Sequence, residues 1–135
     1  MQNLDSKIFT EFHAFPESVK AHFELNKVLL VDDGPLSKQD REYLAFKTSE
    51  INKNPYGMIY HKKAFEEAKT SEPRKILEEM AVTLTKEPTQ SSWLKGRFIA
   101  EGYSEAQWQH AVNVIAYTNF TNRLAFAANI YQQYP

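Results

Sequence analysis

The chain contains no cysteine among its 135 residues, and that absence removes whole classes of chemistry. Without a thiol there is no disulfide framework, and no mechanism in which a protein thiolate attacks a substrate or carries electrons. Charge of one sign is missing too: 16 basic side chains stand against 17 acidic ones. This balance leaves no overall field to hold a nucleic acid backbone or an anionic membrane, so neither partner is expected. No apolar run approaches the roughly 20 residues that cross a bilayer. The polar N-terminus lacks the basic and hydrophobic regions of a secretion signal, so a cytoplasmic location is expected. There is no glycine-rich phosphate loop and no serine nucleophile elbow. His13, His22 and His110 show neither the four-residue helical spacing nor the clustered carboxylates of a metal site. No metal and no cofactor are therefore expected.

What remains is an ordinary globular composition, 42% hydrophobic and 24% charged, in a chain long enough to bury one core. A single domain over 1–135 is expected. Helical periodicity dominates, with the few Gly and Pro residues falling between periodic stretches, so the reading is all-α. A short helix is expected over Lys7–Ala14, and a second from Pro16 to Val31, closed by the turn Asp32-Asp33-Gly34-Pro35. Ser37 with Asp40 resembles a capping box for a helix to about Asn52. Asn54 as cap and Pro55 as first residue begin another, to about Lys69. Ser71-Glu72-Pro73 opens a helix whose Ile76, Leu77, Met80, Ala81 and Leu84 share a stripe, suited to core or to a subunit interface. Pro88 breaks the chain, Ser92–Glu101 reads as helix, and Gly102 suits the left-handed position after it. Ser104 with Gln107 is a second capping box, starting the longest helix, to about Tyr131.

Three faces carry polar residues among apolar ones. At about 100° per residue, Glu42 groups with Ala45, Phe46 and Ser49. A carboxylate there either pairs with a cation such as Arg123 or serves proton transfer. His61 shares a side with Asn54, Gly57, Met58, Ala64, Phe65 and Ala68. Gly57, one turn before it, would leave a recess over the imidazole able to admit a small ligand, or His61 is a satisfied core residue. On the last helix, Val112, Ala116, Asn119, Arg123, Phe126, Ala127 and Ile130 fall together. A guanidinium buried there would need an acidic partner; it forms either a structural ion pair assisted by Asn119 or an anion site.

Three stretches carry a family resemblance: His13-Ala14-Phe15-Pro16 with the following helix, Leu36 to His61, and Val112 to Leu124 with its Asn119-Phe120-Thr121-Asn122-Arg123-Leu124. Together they resemble the alkylhydroperoxidase D-like and carboxymuconolactone decarboxylase superfamily, especially its peroxidase-related branch. The strongest element is the interval from Arg41-Glu42 to His61. The resemblance implies an alkylhydroperoxidase D-like helical bundle and symmetric self-association as a homo-oligomer. In thiol-dependent members a glutamate precedes a Cys-x-x-Cys pair and a histidine follows. Glu42 and His61 match those two positions, while Asn54 and Gly57 stand where the cysteines would be. Asparagine forms neither sulfenic acid nor disulfide, so peroxidase chemistry by that route is excluded.

The decarboxylase branch does not depend on the cysteine pair. The resemblance therefore implies acid–base chemistry on a small organic acid or lactone, with Glu42 and His61 catalytic and Arg123, Asn119, Asn54 and Gly57 contacting substrate. Two other readings stand beside it: a non-catalytic oligomeric binding or scaffold protein, and an oxidative-defence protein supplied with sulfur by an external thiol.

Overall fold

The computed structural model describes residues 3–130. Among them are seven α-helices, one π-helical turn and one 3₁₀ turn, and no strand. The α-helices are α1 (Asn3–Glu11), α2 (Pro16–Asn26), α3 (Lys38–Ile51), α4 (Pro55–Ala68), α5 (Lys75–Lys86), α6 (Leu94–Ala100) and α7 (Glu105–Ala127). Helix α1 begins and ends earlier than expected. The helix expected to run to Val31 changes at Lys27–Val31 into a π-helical turn, a departure that no local pattern signals.

Helix starts follow side-chain chemistry. Ser37 Oγ accepts from the Asp40 N–H at 3.1 Å, and at Ser104 both bonds of the capping box form: Gln107 N–H to Ser104 Oγ, and Ser104 N–H to Gln107 Oε1. Asn54 occupies the cap position before Pro55 but its side chain makes no cap bond, because it is engaged elsewhere. Gly102 takes φ +104° after α6, as its position predicts. Helix α7 ends at Ala127, and the expected end at Tyr131 lies outside the described residues.

Helix α3 is the centre of the molecule. It packs on α4, α5 and α7, and Leu44 and Ala45 have no exposed surface. The main core joins them to Leu29, Leu30 and Leu36, to the α5 stripe Ile76, Leu77, Met80 and Ala81, to Leu94 and Phe98 of α6, and to Ala111, Val114 and Ile115 of α7. The α5 stripe is thus core. At the other end Ile8, Tyr56, Ala125 and Ile130 form a smaller cluster. At the corner where α3 turns into α4, Lys53 is in left-handed backbone at φ 58°, a conformation that disfavours any residue with a Cβ.

The buried face of α7 is not the expected one. His110, Ala111, Val114, Ile115, Tyr117, Thr118, Thr121, Asn122 and Ala125 face inward, while Ala116, Arg123 and Ala127 are exposed and Asn119 is half-buried. Polar Thr118, Thr121 and Asn122 inside, with Phe120 outside, cancel the hydrophobic contrast from which a helix face is read.

Candidate functional site

The helical hairpin of α3 and α4 brings Glu42 and His61 together. The imidazole Nδ1 lies 2.8 Å from Glu42 Oε1, and the two residues are 4% and 5% exposed. With the carboxylate ionised, Nδ1–H donates to it, which leaves the Nε2 lone pair as the basic position. Among the described residues no protein group hydrogen-bonds to that Nε2. The Tyr60 ring meets the imidazole edge-on, centroids 5.1 Å apart, and limits its rotation. A buried carboxylate behind Nδ1 fixes the tautomer and stabilises the imidazolium formed when Nε2 takes a proton.

Arg123 is not part of this arrangement. Its guanidinium is exposed and donates to the Asn119 carbonyl and to Asn119 Oδ1, at 3.2 and 3.0 Å. Among the described residues it pairs with no carboxylate. Asn119 also donates to Thr85 Oγ1 and accepts from Asn52 Nδ2, tying α7 to α5 and to the end of α3. The arginine expected to neutralise Glu42 therefore sits at the surface, because α7 presents a different face from the one its apolar residues suggested.

The buried guanidinium belongs to Arg41 instead, and carbonyls satisfy it. Its Nε donates to Leu36 O at 3.1 Å, and its Nη1 to Asp32 O at 2.7 Å and Leu29 O at 3.4 Å. Arg41 thus ties down the π-helical turn and the loop after it. His110 helps, accepting from the Leu36 N–H at Nδ1 and donating from Nε2 to Leu29 O. Both bonds are made together only by the neutral imidazole, in keeping with a pKa lowered by burial.

The recess expected at Gly57 is filled. A Cβ on Gly57 would lie 2.8 Å from Ser49 Oγ, 3.1 Å from Asn54 Nδ2 and 3.2 Å from Asn122 Oδ1, so the glycine makes room for a polar cluster and not for a ligand. In that cluster Asn122 Oδ1 accepts from Asn54 Nδ2 at 2.8 Å and from Ser49 Oγ at 3.2 Å. Asn54 and Asn122 have no exposed surface. Amide and hydroxyl groups thus lock the start of α4 onto α3 and α7. Sequence reasoning does not single out Asn122, which enters only within the Asn119 to Leu124 stretch of the resemblance; a polar residue three positions after Asn119 is equally compatible with an exposed site.

The remaining histidines are apart from this cluster. His13 contacts the Thr10 carbonyl at 2.7 Å. His22 is buried among Phe9, Tyr117 and Phe120, with ring centroids 5.0 to 5.3 Å away, and burial lowers its pKa to about 4. Among the described residues no three His, Asp or Glu side chains come together as a metal site would need, and no helix is long and apolar enough to cross a membrane.

No protein-family model matches the chain, and no curated protein sequence matches it significantly. Solved structures do. An uncharacterized peroxidase-related protein from Silicibacter sp. TM1040 superposes with a TM-score of 0.71 at 22% identity, over 84% of this chain and 69% of that one. An alkylhydroperoxidase AhpD core protein, an uncharacterized peroxidase-related protein from Ralstonia eutropha JMP134, gives 0.68 at 17% identity, over 83% and 68%. With helices in this order and agreement at this level, the chain has the alkylhydroperoxidase AhpD core fold, carried by a sequence without a single cysteine.

Proposed function

We propose that Glu42 and His61 form a proton-transfer site acting on a small organic acid or lactone. The observation that carries this reading is the 2.8 Å bond between two side chains on different helices, each more than nine-tenths buried. Burying an ionisable pair has a desolvation cost that apolar residues of similar volume avoid. In the proposed step His61 Nε2 removes a proton from the substrate, Glu42 holds the imidazolium through Nδ1–H, and Nε2 returns the proton to a second substrate atom. Asn54, Asn122 and Gly57 position the start of α4, and hence His61. Arg123 and Asn119 lie outside the pair and take no part in the transfer.

The test is NMR titration of His61 with a panel of lactones and small carboxylic acids, together with turnover assays of parent, His61→Gln and Glu42→Gln. A saturable response at His61 and turnover lost in both variants, with the helical circular dichroism unchanged, supports the reading. Absence of any response at His61 across the panel would remove it.

A second reading rests on a different observation. Phe15, Phe23 and Phe120 are 63%, 44% and 46% exposed, which favours a homo-oligomeric binding or scaffold protein that covers them. Sedimentation of the same two variants separates the readings: a scaffold keeps its assembly and its cellular role when both side chains are changed.

A further inference from the structure

Residues 27–36, the π-helical turn and the loop leading into α3, form a strap held to α3 and α7 by two buried side chains. Arg41 of α3 donates to the carbonyls of Leu29, Asp32 and Leu36. His110 of α7 donates from Nε2 to the same Leu29 carbonyl at 3.0 Å and accepts at Nδ1 from the Leu36 N–H at 3.2 Å. Arg41 is 5% exposed and His110 6%. Gly34 lies directly on the ring, where a Cβ would come to 2.9 Å from His110 Cε1. Gln107 adds a bond from Nε2 to the Pro35 carbonyl at 3.1 Å. A cleft of about 280 Å³ runs between the strap and α7 with His110 in its lining, and brings solvent to the edge of the ring.

The backbone fixes the protonation state of this imidazole. An amide N–H only donates, so Nδ1 carries a lone pair; a carbonyl only accepts, so Nε2 carries the proton. A second proton, on Nδ1, would set donor against donor at 3.2 Å and strand the amide of Leu36, a residue 1% exposed. It would also place two cations on the Leu29 carbonyl, which the Arg41 guanidinium already shares at 3.4 Å. The other charged groups nearby do not offset this. Asp32 is paired with Lys27 at 3.2 Å. Asp33 lines the cleft but is exposed, so solvent screens its charge. The α7 residues beside His110 in the cleft, Ala106, Gln109 and Asn113, carry none. Burial lowers the pKa of His110; the Leu29 bond raises it and Arg41 lowers it, and the net direction is downward.

We propose that residues 27–36 are an acid-released strap: proton uptake by His110 frees the π-helical turn and the loop from α3 and α7, and uncovers Leu29, Leu30 and Leu36 of the main core. In the opened form the ring is solvated and binds a proton near its ordinary value of 6.5, ahead of the closed form. Closure is therefore fully favoured above about pH 6.5 and weakens as the pH falls below it. Neither Glu42 nor His61 takes part.

The experiment is native-state amide hydrogen exchange of the full chain by NMR between about pH 7 and about pH 5, with the His110 ring titrated in the same samples. Protection at the Asp32 and Leu36 amides, which are bonded to the Lys27 carbonyl and to His110, should fall about tenfold over that range, the order that one proton taken up on opening allows. The fall should follow the His110 titration in the parent, while Leu44 at the centre of α3 keeps its protection. His110→Gln should abolish the pH dependence at whatever level of protection it leaves, and His22→Phe, which removes the other buried imidazole, should preserve it. Protection at Asp32 and Leu36 unchanged down to about pH 5, a fall shared equally by Leu44, a pH dependence that persists in His110→Gln, or one that vanishes in His22→Phe would each overturn the assignment. Should His110→Gln fail to fold, a loss of protection in the parent that does not track the His110 ring overturns it as well.

Discussion

Gly57→Ala is expected to destabilise the protein although alanine is the better helix former. Adding a Cβ at this position brings it to 2.8 Å from Ser49 Oγ, closer than such atoms approach, with Asn54 Nδ2 and Asn122 Oδ1 at 3.1 and 3.2 Å. Overpacking of this kind costs about 1–3 kcal/mol. Moving Ser49 Oγ away also weakens its bond to Asn122, at a net cost of about 1 kcal/mol. Against this stands a helix-propensity gain of at most about 1 kcal/mol, and less in the first turn. The balance is a loss of about 1–3 kcal/mol, or roughly 3–5 °C in Tm for each kcal/mol in a chain of this size.

Gly96 supplies the control. It sits inside α6, and a Cβ there meets nothing within 4 Å, so Gly96→Ala should stabilise by about 0.5–1 kcal/mol. The assay is urea unfolding followed by far-UV circular dichroism, with unchanged m-values confirming a common unfolded state. Ser49→Ala in the Gly57→Ala background should recover part of the loss by removing the clashing oxygen. A Gly57→Ala protein as stable as its parent would show that the polar cluster is loose and that the space at position 57 is not closed. Gly57→Cys is subject to the same clash, so this chain should not accept the second thiol of a redox pair without rearrangement.

Other consequences follow from single residues. Asn122→Ala leaves the donors of Asn54 and Ser49 without their acceptor in a buried site and should cost about 1–3 kcal/mol per orphaned group, measured by the same unfolding assay; Asn119→Ala should cost less, since Asn119 is only half-buried. Lys53→Gly relieves the positive φ at the α3–α4 corner and should raise stability by about 0.5–1 kcal/mol. His22 has its folded pKa lowered from 6.5 to about 4 by burial. The unfolded chain then binds the proton first, so this contribution is fully present above about pH 6.5 and is lost as pH falls towards 4. His22→Phe should flatten the stability-versus-pH profile over that window, and a profile unchanged by the substitution would contradict the burial argument.

Much of this architecture is legible in the residues. The capping chemistry of Ser37 and Ser104, the Pro55 start and the Gly102 stop act within one turn of chain, and each appears where its local chemistry places it. The residues alone suggest Arg123 as the partner of Glu42, and the link from Glu42 to His61 comes only with the family resemblance; the two meet because α3 and α4 are adjacent helices joined by a short corner. The face of α7 was not legible, since its buried side carries Thr118, Thr121 and Asn122 while Phe120 faces out, and only packing against α3 decides the phase. Arg41 shows the same limit from the other direction: a buried guanidinium can be satisfied by carbonyls of the π-helical turn, which no count of acidic partners reveals.

The state of His61 tests the central claim most directly. Long-range ¹H–¹⁵N correlation on imidazole-labelled protein should show Nδ1 protonated and Nε2 unprotonated in the neutral ring, with this preference weakened in Glu42→Gln. A neutral ring protonated at Nε2, or a tautomer indifferent to Glu42, would contradict the proposal that Glu42 holds His61 ready to take a proton.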